Sequence, residues 1–150
     1  MRVRPAAICF DLDDTLWPCE SVIERAERAV YAWLEEKAPR ITAEYDLETM
    51  RRIRIEQARA RPELGVDLTA LRRETVAWHA ERAGYSSELA EQAVEVFLEE
   101  RNRVRLFEDA RPVLEVLAER FPLVALTNGN ADVARVGVGD FFTESVSAAD

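Results

Sequence analysis

Ala6-Ala7-Ile8-Cys9-Phe10 is an unbroken apolar run that follows Pro5 and ends at an acidic cluster. A run of this length between a proline and charges reads as a strand buried on both faces, with Cys9 as a small buried hydrophobe. A long helical stretch follows. Ser21 and Glu24 form a candidate capping box, and Val22, Ile23, Ala26, Ala29, Val30, Trp33 and Leu34 recur with helical spacing up to Pro39. The same periodicity predicts a helix over about 46–60 through Leu47, Met50 and Ile53, ending before Pro62. Another takes Asp67 as N-cap and carries Leu68, Leu71, Thr75 and Trp78, with Gly84 just past its end. A further helix starts at Ser86 or Ser87 and carries Leu89, Ala93, Val96 and Phe97.

Beyond Arg105 the pattern changes. Residues 109–120 read as a short helix with Pro112 in its first turn and Val113, Leu114, Val116 and Leu117 as its buried side. Leu123-Val124-Ala125-Leu126-Thr127 reads as a second buried strand, followed by the turn Asn128-Gly129-Asn130. A short helix over about 131–136 leads to Phe141-Phe142, and Ser145-Val146-Ser147 opens a third strand. Strand, helix, strand, helix, strand is α/β alternation, which implies a parallel sheet with right-handed crossovers. A helical segment over about 18–104 interrupts it.

Composition narrows the class. The 150 residues are 48% hydrophobic and 33% charged, the profile of a folded globular chain rather than a disordered one. The 29 acidic against 20 basic side chains leave a charge of −9, which repels a phosphate backbone and argues against nucleic acid as a general partner. Cys9 and Cys19 make no disulfide framework, so a reduced, cytoplasmic protein is the expectation. Arg2 and Arg4 precede an apolar stretch too short for a signal peptide or a membrane span. Lys37 is the only lysine.

The candidate chemistry sits at the strand ends. Asp11-Leu12-Asp13-Asp14-Thr15-Leu16-Trp17 follows the first strand, and residues i and i+2 of an extended chain face the same way. Asp11 and Asp13 can therefore point together beyond the C-terminal end of the strand, where open parallel sheets bind ligands. Two such carboxylates suit a hard cation such as Mg²⁺ and can divide nucleophilic and acid/base roles. The bland alternative is an acidic turn capping the next helix. Thr127, Asn128 and Gly129 offer a hydroxyl, an amide and a backbone N–H that can cradle a phosphate, helped by the following helix N-terminus. An ordinary Asn-Gly turn is the competing reading.

Together these motifs resemble those of the haloacid dehalogenase (HAD) superfamily. Asp11-Leu12-Asp13-Asp14-Thr15-Leu16 is similar to its first motif, Thr127-Asn128-Gly129-Asn130 to its second, and the helical insertion to the cap many members carry. The stretch from Leu123 to Phe142 further resembles the branch containing bacterial flavin mononucleotide phosphatases. The resemblance implies an α/β, Rossmann-like core formed by 1–17 and 105–150, with a helical cap over 18–104 that closes on the active site. It implies Mg²⁺-dependent hydrolysis of a small phosphorylated metabolite, flavin mononucleotide or a sugar phosphate among the candidates. Asp11 would be the nucleophile and Asp13 the acid/base. Asp11 and the Asp13 carbonyl would hold Mg²⁺, and Thr127 and Asn128 would bind phosphoryl oxygens, with Gly129 in the same turn.

The family's third-motif lysine and fourth-motif acids have no counterpart, since Lys37, Asp140 and Asp150 do not match those positions. The expected core is thus incomplete, its C-terminal strands absent, with very low activity and an exposed edge on the first strand through which copies could associate. Two other classes compete. One is haloacid dehalogenation, which needs no second carboxylate such as Asp13. The other is a non-catalytic fragment that binds phosphate or a partner.

The remaining candidates have bland readings. His79 reads as a surface or packed helical histidine. Arg51, Arg52, Arg54, Arg59 and Arg61 read as a solvated face paired with glutamates. Trp33, Trp78 and Phe97 read as core. Trp17 could stack on a substrate ring or pack.

Overall fold

The structure, a computed structural model, describes residues 5–148. Arg2, Arg4 and Asp150 lie outside the described residues. The chain is α/β and divides into two compact units, one holding the residues up to Val22 and from Asn102 onward, the other Ile23–Arg101. The sequence reading had set these limits at 17/18 and 104/105.

The α/β unit holds three parallel strands: β1 (Ile8–Asp11), β2 (Leu123–Thr127) and β3 (Glu144–Ser147), in the order β1-β2-β3. Ile8 pairs with Leu123 and Asp11 with Leu126, while Leu126 pairs with Val146 on the other side. Among the described residues β1 is therefore an edge strand. Between β1 and β2 the chain returns through α6 (Ala110–Ala118), and between β2 and β3 through the single turn α7 (Val133–Val136). Ile8, Phe10, Leu123 and Ala125 face a core built around Leu12, Leu16, Trp17, Leu114 and Val138. Each large apolar side chain fully buried there contributes about 1.5–3 kcal/mol.

Here the expectation of strands buried on both faces fails. Cys9 is exposed, not buried, and Leu126 and Val146 on the same face are also open to solvent. Both crossovers lead in one sheet direction, and right-handed connections then place their helices on a single face. On α6 the buried residues are Ala110 and Leu114, with Leu117 half-buried against the core. Val113 and Val116, expected inside, fall on the neighbouring flank and are 44% and 51% exposed.

The helical unit contains the greater part of α1 (Cys19–Lys37), then α2 (Pro39–Glu44), α3 (Leu47–Ala60), α4 (Leu68–Arg82) and α5 (Leu89–Arg101). Its own core gathers Ala26, Val30, Leu34, Ile41, Val76, Ala80, Ala93 and Phe97, with Trp33 and Trp78 partly buried against it. The N-cap expected at Asp67 is present, and Asp46, where the next helix upstream was expected to begin, caps that helix too. Asp46 accepts from the Thr49 N–H at 2.7 Å, and Asp67 from Thr69 and Ala70 at 3.1 and 2.9 Å. Gly84, at φ +74°, takes the left-handed turn that ends α4, a conformation costly for residues with a Cβ. The Ser21–Glu24 box is not used, because α1 already begins at Cys19 and Ser21 lies within it. Helix α2 was not anticipated: Pro39, read as a stop, instead supplies its first residue.

Candidate active site

Burial alternates past the end of β1. Asp11 is exposed, Leu12 is fully buried and Asp13 is half-buried, so the two carboxylates flank one core residue. After Asp13 the chain turns sharply: the N–H groups of Thr15 and Leu16 both bond the Leu12 carbonyl, at 3.1 and 2.8 Å. The Asp14 N–H bonds the Trp17 carbonyl at 2.7 Å, and Asp13 bridges to Trp17. Asp14 carries the left-handed backbone of this turn, at φ 60°, a conformation that aspartate tolerates better than most residues. Its Oδ1 accepts from the Cys19 N–H at 2.8 Å, which satisfies an orphan donor at the start of α1.

Each outer carboxylate has its own anchor. The Thr15 hydroxyl donates to Asp11 Oδ2 at 2.9 Å, and the Trp17 indole N–H donates to Asp13 Oδ1 at 2.9 Å. Trp17 is fully buried, so of its two expected roles the structure shows packing, with its polar tip holding Asp13 in place. Neither anchoring role was foreseen for Thr15 or Trp17. The i, i+4 spacing of both donors from their carboxylates was the signal available in the sequence.

The second strand ends beside the first. Asp11 pairs with Leu126, so Thr127 stands one residue further along β2 at the same C-terminal edge of the sheet. Thr127 is buried on the covered face, whereas Asp11 lies on the open one. The two side chains share an edge rather than a face. The Gly129 N–H donates to the Thr127 hydroxyl oxygen at 3.0 Å, so this N–H is engaged within the turn, while Asn128 is exposed. Support from the helix that follows is corrected. Helix α7 has four residues, and the Asp132 carboxylate takes its leading N–H groups from Ala134 and Arg135, at 2.8 and 3.3 Å. A carboxylate already at that terminus disfavours a second anion there.

A hard cation suits the donors at the first strand end, an aspartate carboxylate with backbone and further carboxylate oxygens nearby. Among the described residues no group of three or more His, Cys, Asp or Glu side chains is placed to hold a metal. His79 and the arginines of α3 belong to the helical unit. His79 is fully buried, its ring 4.7 Å from that of Tyr45 and 4.9 Å from that of Trp78. Burial above all lowers its pKa to about 4, with Arg82 adding and Glu44 opposing. The arginine expectation is half right. Arg52 and Arg61 face outward toward Glu56 and Glu74, but Arg51 and Arg54 turn inward to Glu27. No helix among the described residues is long and apolar enough to cross a membrane.

Known proteins are similar to this chain. Over 143 residues the chain is 34% identical to the 5-amino-6-(5-phospho-D-ribitylamino)uracil phosphatase YigB of Escherichia coli strain K12, covering 93% of this chain and 60% of that protein. A crystal structure described as 2-haloacid dehalogenase from Pseudomonas syringae superposes with a TM-score of 0.86 at 40% identity, covering 95% of this chain and 63% of that one. The HAD-hydrolase YfnB of Bacillus subtilis, crystallised with magnesium, shares the fold with a TM-score of 0.58 at 22% identity, covering 97% and 66% of the two chains. The chain thus spans somewhat under two thirds of the length of these relatives. With a haloacid dehalogenase-like hydrolase family model matching residues 5–150, this chain belongs to that family.

Proposed function

We propose that the protein acts on a small organic phosphate monoester, which it hydrolyses through an aspartyl-phosphate on Asp11. The observation that carries this reading is the Asp11–Leu12–Asp13 loop, whose two carboxylates are separately anchored by Thr15 and Trp17. With Oδ2 of Asp11 held by Thr15, Oδ1 is the oxygen that attacks phosphorus, and the ester oxygen leaves with a proton from Asp13. Water then attacks the acyl phosphate, Asp13 takes its proton, and inorganic phosphate departs. Mg²⁺ held by the Asp11 carboxylate and the Asp13 carbonyl would neutralise charge on the phosphoryl oxygens. Thr127 and Asn128 contact those oxygens in the same reading, and Ile23–Arg101 serves as the cap. The 34%-identical YigB, named as a phosphatase of a phosphorylated ribityl compound, supports a phosphate ester as substrate class. Such an enzyme acts in the cytoplasm.

The 40%-identical dehalogenase structure favours a second reading, in which Asp11 attacks carbon and displaces halide. One experiment separates them. The protein is incubated with p-nitrophenyl phosphate and with 2-chloroacetate, with and without Mg²⁺, and its intact mass is followed alongside product release. The expected result is slow, Mg²⁺-dependent phosphorylation of Asp11, lost in Asp11→Asn. Metal-independent chloride release with no phosphorylation would establish the second reading instead.

A further inference from the structure

The helical unit holds a charge cluster that the acidic loop does not use. Glu27 of α1 is 3% exposed and receives Arg51 Nε at 2.8 Å, Arg54, and Arg72 at 3.4 Å. Three guanidinium groups thus converge on one carboxylate. The next acid, Glu48, reaches Arg51 at 3.3 Å but its side chain is 77% exposed, so solvent screens its charge. Burial drives the Glu27 carboxyl upward, yet Arg54, Arg51 and Arg72 outweigh it and hold the group below its usual range. Arg72 is pushed the other way, to about 9, by burial first and Arg54 next, with Glu27 opposing. Glu24 acts on Arg51 as well but is also solvent-exposed, so in the buried part of the cluster three guanidinium groups face the single carboxylate of Glu27.

That charge lines a cavity. Arg51, Arg54 and Arg72 share its wall with Glu27, the carboxylate they already hold, and with Val30, Leu34 and Met50, and water has about 30 Å³ of room within it. A void of that size has room for roughly two waters. Arg72 is only 8% exposed, and its Nε has no hydrogen-bond partner. Its guanidinium lies 3.5 Å from the Phe97 ring centroid, which fixes the plane but accepts nothing from Nε. A buried donor without an acceptor, beside surplus positive charge and an apolar wall, calls for an acceptor with a short hydrocarbon part.

We propose that this cavity is a binding site for a small oxyanion with a short apolar body, such as a short-chain carboxylate or alkyl phosphate. The anionic head meets Arg54 and Arg72, and the hydrocarbon lies against Val30, Leu34 and Met50. The site lies wholly within Ile23–Arg101 and stands independently of the hydrolase reading.

The test is an NMR titration of the 150-residue chain that follows the arginine Nε–H signals, with propionate, ethyl phosphate, inorganic phosphate and propylammonium as probes at constant ionic strength. Propionate or ethyl phosphate is expected to saturate the protein, to shift the Arg72 Nε–H signal, and to bind more tightly than inorganic phosphate. Propylammonium is expected to leave the signals unchanged. Arg54→Gln, at a part-exposed position, should weaken binding by about tenfold, the worth of one charge-assisted hydrogen bond. Arg59→Gln, on the exposed side of α3, should leave it unchanged. Thermal melts of both variants confirm that they fold. No saturable shift, equal weakening by the two variants, or inorganic phosphate binding as tightly as the alkyl anions would overturn the proposal.

Discussion

The two units of this chain treat charge in opposite ways. In the α/β unit Asp11 stands exposed at a strand end, and Asp13 is half-buried and accepts the Trp17 indole N–H. In the helical unit Glu27 is pulled into the core and surrounded by arginines. A carboxylate kept near water retains its freedom to bind a cation or attack a substrate. One that is buried and paired is tied to the fold, because its desolvation must be offset continuously. The difference separates carboxylates left open to solvent from one committed to the fold, and each of the following measurements breaks or sharpens it.

The largest effect belongs to the acidic loop. Asp11→Asn should abolish phosphorylation, and Asp13→Asn should slow it by roughly 10²–10⁴, as loss of a general acid does. Asp11→Asn should melt within about 0.5 kcal/mol of the parent, since Asp11 is exposed and surface substitutions seldom cost more. A large loss of stability with activity retained would erase the distinction. Glu27→Gln should do the reverse. Removing the carboxylate leaves Arg72 buried without its counter-charge, at a cost of about 3–5 kcal/mol read from denaturant unfolding, and should leave the chemistry of Asp11 intact.

How far these roles could be read beforehand depends on the range of the forces involved. Strand β2 and the cap at Asp67 were legible because their determinants are local in sequence: an apolar run, or a carboxylate two or three residues from the N–H it accepts. The acidic loop was legible for the same reason. Cys9 was misplaced because its exposure depends on which face the crossover helices cover. Arg51 and Arg54 were misread because their partner lies 24 and 27 residues away. One clue was present: Glu27 falls on the Ile23–Val30–Leu34 stripe of α1, where a charge needs partners. How the chain arranges Thr127 relative to Asp11 was not legible, since it depends on strand register as well as on motif identity.

A smaller effect comes from His79. Its pKa is about 4 in the folded protein against about 6.5 in an unfolded chain, so protons bind the unfolded state more readily between those values. Stability contributed by the neutral ring is complete above about pH 6.5 and declines as the pH falls toward 4, by at most about 3 kcal/mol. His79→Leu should flatten that slope in urea titrations, and an unchanged slope would assign it to other groups. The smallest effect is expected on the open sheet face. Leu126 is 42% exposed, so Leu126→Thr should change stability by less than about 0.5 kcal/mol, while Cys9 reacts readily with a maleimide. A cost several times larger, or a protected Cys9, would show that this face is covered in solution.

Asp14 has a consequence of a different kind. It takes the left-handed residue of the acidic turn and caps the start of α1, so the shape of the turn is secured by a residue to which no chemical step is assigned. Geometry and reactivity are thereby written at different positions. The backbone that presents Asp11 and Asp13 therefore does not depend on those two side chains for its shape.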